Sequence, residues 1–576
     1  MKRTYKEEYQ RWLDSPALSE AEWAELNAIA DDEKEIESRF FAPLEFGTAG
    51  LRGTMKLGLH QMNVHIIRHA TQAFANVIKA EGEQAMEKGI AICFDCRNNS
   101  ELFAREAACV MAANGIHVRI FDALRPTPEL SFAVRYYGTT AGLNITASHN
   151  PKEYNGYKVY WSDGAQLPPQ HAAAIAEQMD KIDIFDDFLS CDFDIALAEG
   201  KIELIGAETD EAYLTQVLGQ AINPAVVKKV APEFKIVYTP FHGAGYKLVP
   251  EALHRLGIEK LYPVPEQMVI DGNFPTVESP NPENPEGFYL AVDLAKEIGS
   301  DLIIGTDPDS DRIGVMVRSG DEYVSITGNQ LGVLLLDYVI TARKAAGTLP
   351  ENAGAVKSIV TTEMAKTVAE TNGVHFEDTF TGFKFMAERV AQWEKAGSYK
   401  YIFAYEESYG YMMGDYVRDK DAVTASMMVA EMAAYYHDKG MNLSQAMESL
   451  YEKYGRYAEK TLNLVMPGLD GIVKMKNLMA ELRSEPPKQI AGVEVFKIRD
   501  YSDGSVIVPA LGTVGQTPIK GSNVLYFELA DGTSFIVRPS GTEPKVKVYI
   551  LCKGADKAEC DEKIAKYAKF AEGLRK

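Results

Sequence analysis

The sequence has little of what marks secreted, membrane-spanning or nucleotide-binding proteins. Six cysteines in 576 residues are too few for a disulfide framework and favour a reducing compartment. The first residues lack the apolar core of a signal peptide, and no uninterrupted apolar run is long enough to span a bilayer. Neither a Walker P-loop nor a Gly-x-Gly-x-x-Gly run occurs, so a nucleoside triphosphate or dinucleotide site has no support. These absences predict a cytoplasmic protein.

Basic residues are scarce relative to acidic ones. The chain has 60 Lys and Arg against 82 Asp and Glu, which gives a formal net charge of −22. Such a charge argues against nucleic acid and anionic membranes as partners, and no obligate protein partner is evident. With 46% hydrophobic residues the chain has ample material for several buried cores, so we expect several domains.

Strand-like and helical patterns alternate along most of the chain, which predicts an α/β fold. In three places a predicted strand is followed by a polar loop. This indicates three similar mixed α/β domains with helices on both faces of each sheet. The remainder, from about residue 461, is typical of a separate α+β domain. We therefore predict domains at 1–210, 211–325, 326–460 and 461–576.

The first candidate site is a serine at the end of a strand. The apolar run 141–145 predicts a short buried strand, and the segment 146–158 that follows is TASHNPKEYNGYK. Its serine is Ser148, and Asn155-Gly156 is expected to form a turn that lets Lys158 fold back toward it. His149 is expected to shape the loop, because successive residues of an extended backbone point apart. A polar turn with an incidental serine is the alternative interpretation.

The second candidate site is the acidic loop TDPDSDR at 306–312, again after an apolar strand. Its alternating carboxylates, Asp307, Asp309 and Asp311, form an all-oxygen set that suits a hard divalent cation. An EF-hand is excluded, because its sixth and twelfth positions would be Arg312 and Arg318 instead of Gly and Glu. A phosphatase that uses Asp307 as nucleophile and a plain solvated turn both remain alternatives.

The third candidate site is the loop YEESYG at 405–410. Glu406 and Ser408 alternate along the chain, so an extended backbone would point both to one side. A carboxylate beside a hydroxyl can bind neighbouring sugar hydroxyls. An acidic strand end without a ligand is the alternative.

The fourth candidate site is the segment VRPSGTEPK at 537–545. Arg538 offers a planar fork for a phosphate, and Ser540 and Thr542 offer hydroxyl donors. Gly541 lets backbone N–H groups approach an anion. An ordinary turn between strands is the alternative here.

These four loops, in this order, resemble the phosphoserine, metal-binding, sugar-binding and phosphate-binding loops of the α-D-phosphohexomutase family. The segment FGTAGLRG at 46–53 adds that family's glycine-rich opening, with Arg52 as its active-site arginine. The motifs run from residue 46 to about 545, so the resemblance covers nearly the whole chain. The extended serine motif is most similar to the phosphoglucomutase branch, which includes phosphopentomutase-like members.

The resemblance implies an isomerase that moves a phosphoryl group within a hexose phosphate, with α-D-glucose 1-phosphate as the expected substrate. Ser148 would carry the group as phosphoserine, and glucose 1,6-bisphosphate would be intermediate and activator. One Mg²⁺ per chain would be held by Ser148, Asp307, Asp309 and Asp311, with Arg312 offsetting charge.

Further roles follow from the same resemblance. Lys158 and Arg52 are the candidates for general acid and base, and Lys384 in the segment TGFK would assist the sugar or phosphate. The sugar loop would hold ring hydroxyls, and the last loop would clamp the non-reacting phosphate. Because the chain is acidic overall, an anionic substrate requires these cations to converge on one central cleft: Arg52, Lys158, Arg312, Lys384 and Arg538.

Several alternatives stay open at this point. Some mannose-utilising relatives carry a His two residues after the sugar-loop serine, and Gly410 occupies that place here. The role of that His is therefore absent. Activity on mannose, pentose or glucosamine phosphates, or synthesis of the bisphosphate, remains an alternative to glucose 1-phosphate as the substrate. Different classes also remain: a phosphatase with Asp307 as nucleophile, and a catalytically silent member that binds sugar phosphates.

Overall fold

The structure is a computed structural model that describes residues 3–47, 50–466, 471–540 and 545–575. Packing divides the chain into two units, which we describe separately. Unit 1 consists of Met1–Thr327 and Tyr409–Asn442, and unit 2 of Gly328–Ser408 and Leu443–Lys576. Within the described ranges, every helix is too short or too polar to cross a membrane.

Unit 1 begins with three short helices, α1 (Tyr5–Leu13), α2 (Glu20–Asn27) and α3 (Glu33–Phe40). Thr4 and Ser19 start the first two with capping boxes, in which the side chain and a glutamate three residues on satisfy backbone N–H groups at the helix start.

The first sheet of unit 1 contains β1 (Gly50–Thr54), β2 (Ile90–Phe94), β3 (Val118–Phe121), β4 (Ala141–Ile145), β5 (Tyr154–Trp161) and β6 (Ile202–Ile205). The strands lie in the order β1-β5-β4-β2-β3-β6. The helices of this region are α4 (Val64–Ala80), α5 (Glu83–Lys88), α6 (Ser100–Ala113), α7 (Thr127–Tyr137), α8 (Pro169–Met179) and α9 (Phe193–Ala198).

The second sheet of unit 1 contains β7 (Lys235–Thr239), β8 (Lys260–Pro263), β9 (Leu302–Thr306), β10 (Ile313–Ser319) and β11 (Glu322–Ile326). Their order is β11-β10-β9-β7-β8. The associated helices are α10 (Ala207–Leu218), α11 (Pro224–Val230), α12 (Gly245–Leu256) and α13 (Tyr289–Ile298), with a 3₁₀ turn at Pro285–Phe288.

Unit 2 opens with α14 (Gly328–Ala345) and a parallel sheet in which β12 lies between β13 and β14. The elements here are β12 (Ala353–Ser358), α15 (Met364–Thr371), β13 (His375–Thr379), α16 (Phe383–Ala396) and β14 (Lys400–Glu406). The next two elements, β15 (Gly410–Met412) and α17 (Ala422–Asp438), belong to unit 1, where α17 packs on α12.

The rest of unit 2 is built on one antiparallel sheet. Its strands are β16 (Arg456–Val465), β17 (Gln489–Ile490), β18 (Val493–Asp500), β19 (Ser505–Val508), β20 (Gly512–Gln516), β21 (Leu525–Leu529), β22 (Ser534–Pro539) and β23 (Lys545–Gly554). They run in the order β16-β23-β22-β21-β18-β19-β20, with β17 beside β18. The helices are α18 (Leu443–Tyr454), α19 (Gly471–Ser484) and α20 (Lys557–Glu572), with a 3₁₀ turn at Gly573–Arg575.

The serine and metal loops leave equivalent strands of the two sheets in unit 1. Strand β4 lies parallel to β2 and antiparallel to β5, and β9 lies parallel to β7 and antiparallel to β10. Both β4 and β9 are buried at every position, as strands covered on both faces should be. The predicted α/β class, with a C-terminal α+β region, is confirmed; the central cleft and the domain boundaries stay predictions.

One local prediction was wrong. Asn155-Gly156 do not form a turn; they lie in β5, where Gly156 pairs with Arg52 of β1. A Cβ at Gly156 would lie 2.5 Å from the carbonyl oxygen of Thr146, so the glycine serves a close backbone approach instead. Lys158 is brought back toward the serine by the antiparallel pairing of β5 with β4.

Candidate active site

Ser148 occupies a strained backbone position just beyond β4. Its φ is 52°, a left-handed conformation that residues other than glycine rarely adopt. The residue is buried, and its backbone N–H donates to Oγ1 of Thr146 at 2.8 Å. Strain of this kind persists only where the surroundings enforce it, and it is concentrated at functional sites.

The side chain of Arg97 holds the serine loop in its conformation. Its guanidinium is fully buried, and its Nε lies 3.2 Å from Oδ2 of Asp95. Its two terminal nitrogens donate to four carbonyl oxygens of the loop at 2.5 to 3.0 Å. These oxygens belong to Ser148, Asn150, Pro151 and Tyr154.

His149 does not point away from Ser148, contrary to the sequence-based prediction. Its Nδ1 lies 3.1 Å from Oγ of Ser148, because the left-handed backbone at Ser148 removes the alternation of an extended chain. Burial and the nearby Arg312 and Arg52 hold the pKa of His149 well below its usual value, so the imidazole is neutral. A neutral ring can accept or donate a hydrogen bond at the serine hydroxyl.

Asp307, Asp309 and Asp311 form a cluster that could hold a metal ion, the one such group of three or more His, Cys, Asp or Glu residues among those the structure describes. All three are buried, and one carboxylate oxygen of each lies within 4.8 Å of the others. The Asp307 Oδ2 accepts a hydrogen bond from Oγ of Ser148 at 2.8 Å, so the predicted serine and metal loops meet directly. The other oxygen, Oδ1, accepts the backbone N–H groups of Asp311 and Arg312.

The remaining carboxylate oxygens divide into bonded and unbonded atoms. Oδ2 of Asp309 accepts from Lys158 at 2.7 Å and from Thr127 at 2.8 Å. Oδ2 of Asp311 lies 3.0 Å from Lys420 and 3.5 Å from Lys158. Oδ1 of both aspartates is buried and finds no hydrogen-bond donor among the described residues.

Buried carboxylate oxygens without a partner are costly, and a cation would compensate them. The candidate ligand atoms for such a cation are Oδ1 of Asp309 and Asp311, Oδ2 of Asp307 and Oγ of Ser148. This all-oxygen set fits a hard cation such as Mg²⁺ or Ca²⁺.

Burial and the surrounding charges shift the pKa values of the cluster residues in opposite directions. Burial, with the charges of Asp309 and Asp311, raises the pKa of Asp307 well above its usual value. Burial also acts against the charge of Asp311, but Lys420 and Lys158 outweigh it and lower that pKa. Burial opposes the charge of Lys158 too, yet Asp309 and Asp311 raise its pKa, so its amine is protonated.

Two arginines predicted for the site also lie in unit 1. Arg52, on β1, donates to the amide oxygen of Asn150 at 3.1 Å, and it is close enough to Asp309 and Arg312 for their charges to interact. Arg312 forms an ion pair of 2.7 Å with Glu283. Unit 1 therefore brings together all the predicted catalytic and metal-ligating residues: Ser148, Lys158, Arg52, Asp307, Asp309, Asp311 and Arg312.

The predicted sugar-binding residues, Glu406 and Ser408, lie in unit 2. Glu406 is buried and accepts the backbone N–H of Gly382, and Oγ of Ser408 lies 3.5 Å from its carboxylate. Glu407 accepts the hydroxyls of Ser358 and Thr361, each at 3.1 Å. These bonds tie the loop to the turn after β12.

Arg538 of the phosphate-binding segment lies on β22 in the same unit. Burial raises the pKa of the Tyr549 hydroxyl, and the charges of Glu407, Arg538 and Glu406 also act on it, so Arg538 lies near the sugar loop. Ser540 donates its backbone N–H to Lys545 at 2.8 Å. Gly541 and Thr542 lie outside the described residues.

Lys384 is the second residue of α16 and belongs to unit 2. Burial lowers the pKa of its amine, partly offset by Glu388. The amine lies 5.0 Å from the centroid of the Phe385 ring. A lysine with a lowered pKa is better suited to proton transfer than a fully solvated one.

The motifs did not identify Thr127, Lys420, Arg97 or Glu283. Lys420 had a signal, the charged run RDKD at 418–421, because such a run is rarely buried without partners. Tyr160 and Gln166 hold Asp419, and Asp419 in turn bonds Lys420. Thr127 carries no signal in its own segment.

Comparison with known proteins adds the relatives of the chain. Four family models match it in sequence: phosphoglucomutase/phosphomannomutase alpha/beta/alpha domain I over residues 43–185, domain II over 211–320, domain III over 327–454, and the C-terminal domain over 473–566. A phosphoglucomutase of Staphylococcus aureus is 36% identical over 538 residues, covering 93% of this chain and 94% of its own. One of Staphylococcus saprophyticus is 35% identical over 519 residues, 90% of this chain and 92% of its own.

Solved structures share the fold. The open form of parafusin, a phosphoglucomutase from Paramecium, aligns with a TM-score of 0.67 at 19% identity, covering 93% of this chain and 95% of its own. A phosphoglucomutase/phosphomannomutase family protein from Burkholderia thailandensis aligns with a TM-score of 0.64 at 17% identity, covering 92% and 97%.

Proposed function

The chain belongs to the phosphoglucomutase/phosphomannomutase family, and from this premise we propose that it is a phosphoglucomutase. It would interconvert α-D-glucose 1-phosphate and glucose 6-phosphate through phosphoserine at Ser148 and glucose 1,6-bisphosphate. The family resemblance inferred from the motifs is confirmed, and the choice of glucose follows the name of the staphylococcal relatives.

The observation that carries the proposal is the contact between a strained serine hydroxyl and the acidic cluster. Oγ of Ser148 lies 2.8 Å from Asp307, beside two carboxylate oxygens that lack hydrogen-bond donors in the described ranges. A plain polar turn has no reason to bury three carboxylates. An aspartate nucleophile at Asp307 would leave the strained Ser148 without a role.

The chemistry requires two phosphoryl transfers. Phosphoserine at Ser148 would give its phosphoryl group to O6 of glucose 1-phosphate, so the bond from phosphorus to Oγ breaks and the bond to O6 forms. The proton of O6 is taken by a base and ends on Oγ. The bisphosphate then reorients, its 1-phosphoryl group returns to Oγ, and O1 receives the serine proton.

Cations of unit 1 would offset the charge that is transferred. Arg312 lies beside the metal loop, and Lys158 and Arg52 are our candidates for general acid and base. A divalent cation, proposed as one Mg²⁺ per chain, would be held by Ser148, Asp307, Asp309 and Asp311. It would stabilise the charge of the transferring phosphoryl group electrostatically. Mg²⁺ is our choice because it usually leaves coordination positions open for phosphate oxygens.

Residues of unit 2 would hold the part of the sugar that does not react. Glu406 and Ser408 would bind ring hydroxyls, because a carboxylate accepts and a hydroxyl can also donate. Lys384 would assist sugar or phosphate. The clamp for the non-reacting phosphate would consist of Arg538, Ser540, Gly541 and Thr542.

The decisive experiment removes the nucleophile. Ser148→Ala should lose about three or more orders of magnitude in kcat, as loss of a covalent nucleophile usually does. Wild-type enzyme stripped of phosphate should be nearly inactive on glucose 1-phosphate, and a trace of glucose 1,6-bisphosphate should restore it. The variant should not respond to the bisphosphate. Intact mass should show one phosphate on the wild type and none on the variant.

Other results would favour the alternatives. Robust turnover in Ser148→Ala would remove the phosphoserine mechanism, and phosphate release from substrate would favour a phosphatase. A fully folded wild type that binds sugar phosphates but turns over none would indicate a silent member. A comparison of kcat/KM on the 1-phosphates of glucose, mannose, ribose and glucosamine would test which sugar is preferred. The expected cytoplasmic location stays a prediction.

A further inference from the structure

Thr127 lies outside every loop that the motifs identify, yet it contacts the metal loop twice. It is the first residue of α7 and is fully buried. Its hydroxyl donates to Oδ2 of Asp309 at 2.8 Å. Its backbone N–H donates to the carbonyl oxygen of Asp309 at 2.7 Å. One bond fixes the backbone of Asp309 and the other fixes its carboxylate.

Asn144, on β4, determines which way the Thr127 hydroxyl points. Its side-chain amide donates to Oγ1 of Thr127 at 2.7 Å. A threonine hydroxyl has one proton, so an oxygen that accepts from Asn144 remains free to donate that proton to Asp309. All three residues have 0% of their surface exposed, so each bond is costly to lose.

We infer that Thr127, oriented by Asn144, is a positioning residue that makes Oδ1 of Asp309 the oxygen that faces the metal. The inference rests on the metal role proposed above for Asp309. Oδ2 of Asp309 has two donors, Thr127 and Lys158, whereas its Oδ1 has none in the described part of the chain. Without the hydroxyl, the carboxylate loses one of two restraints on its rotation. Partners behind metal ligands are typically worth about 10- to 100-fold in metal affinity.

The test measures metal binding without sugar and without turnover. Chelator-stripped enzyme is titrated with Mn²⁺, a spectroscopic probe for the proposed site, and free Mn²⁺ is followed by electron paramagnetic resonance. Thr127→Val keeps the shape but removes the hydroxyl, and its Kd for Mn²⁺ should rise about 10-fold or more. Thr127→Ser keeps the hydroxyl, and its Kd should stay within about 3-fold of the wild type.

Two control variants separate positioning from general damage. Thr209 is also fully buried, and its hydroxyl bonds the phenol of Tyr137 at the other end of α7. Thr209→Val should therefore leave the Kd for Mn²⁺ unchanged. Asp309→Asn should abolish binding at this site. If circular dichroism shows that Thr127→Val does not fold, the smaller Thr127→Ala takes its place, and its Kd for Mn²⁺ should rise by the same factor.

Three outcomes would overturn the inference. One is a wild-type Kd in Thr127→Val, and another is equal loss in the Val and Ser variants. The third is equal loss in Thr209→Val, because that would make the effect a general disturbance of α7. None of these touches the dependence of turnover on Ser148 and bisphosphate, so the proposed function could stand while the inference fails.

Discussion

Arg97→Lys should uncouple the serine loop from the rest of unit 1 while keeping the buried positive charge. The guanidinium satisfies four loop carbonyls with two nitrogens and reaches Asp95 with a third. A lysine has a single nitrogen with three donors and cannot reproduce this planar fork. At least one carbonyl, and two if Asp95 keeps a donor, would lose its partner.

The size of the effect follows from those lost bonds. A buried acceptor without a partner costs about 1–3 kcal/mol, and three of the four bonds are only partly buried, so the closed loop should be destabilised by about 1–3 kcal/mol. At about 1.4 kcal/mol per tenfold, the population of the competent loop should fall about 5- to 150-fold. The structural change is confined to the serine loop, so kcat should fall much more than the affinity for sugar phosphate.

The assay is turnover of glucose 1-phosphate with saturating glucose 1,6-bisphosphate, together with intact mass to report phosphate on Ser148. Arg68→Lys is the matched control, because Arg68 is partly exposed and bonds one carboxylate, Glu106. That control should keep wild-type kcat. If Arg97→Lys retains kcat within about 2-fold and normal phosphorylation, the guanidinium does not enforce the loop and the reasoning fails.

Three further predictions concern strain, protonation and the phosphate clamp. Ser310 has a φ of 52° and a buried hydroxyl without a partner in the described residues, so Ser310→Gly should stabilise the protein by about 1 kcal/mol and raise its Tm in calorimetry; a lower Tm would contradict this. Burial raises the pKa of Glu459 to about 7, although a hydrogen bond with Thr362 acts in the opposite direction. The stabilising contribution of the protonated carboxyl group is therefore complete below about pH 4.5 and is lost as pH rises through about 7. Glu459→Gln should thus raise Tm relative to the wild type at pH 8.5 but not at pH 4.5, worth at most about 3 kcal/mol, and an equal shift at both pH values would refute the assignment. Arg538→Ala should raise KM for sugar phosphates in both directions of the reaction, whereas a loss in one direction alone would mean that the clamp does not serve both orientations.

The sequence was informative wherever a function is written into one contiguous segment. The loops around Ser148, Asp307 and Glu406 follow strands, and apolar runs predict strands well. It was uninformative where contacts join distant segments. Thr127 lies 182 residues from Asp309, and its own segment contains no chemical pattern that points to a metal loop.

The error at His149 has a different cause. The prediction assumed an extended backbone, but Ser148 is left-handed, and this turns the imidazole toward the serine hydroxyl. Backbone strain of this kind comes from tertiary restraints, here the bonds that Arg97 makes to the loop. A one-dimensional pattern of residue types does not contain those restraints.

The same strain recurs in the serine, metal and sugar loops. Ser148, Ser310 and Tyr409 all have left-handed φ values of 52°, 52° and 66°. Each such residue costs about 1–3 kcal/mol unless its surroundings compensate it. In unit 1 the compensation is visible, because the carbonyl of Ser310 accepts from Ala422 and that of Tyr409 accepts from Ile313.

These bonds join the metal loop and the start of β10 to the segment from Tyr409 to Ala422, which begins at the end of the sugar loop. Lys420 of that segment also lies 3.0 Å from Asp311, so one stretch of chain restrains both the backbone and the charge of the metal loop. A phosphoryl-transfer site depends on donors and charges that are fixed before the reaction begins. Strained turns that are held by several independent hydrogen bonds keep such groups fixed, because a carboxylate or hydroxyl in such a turn has few other positions available. The strain is therefore better explained as the cost of preorganisation than as a defect in packing.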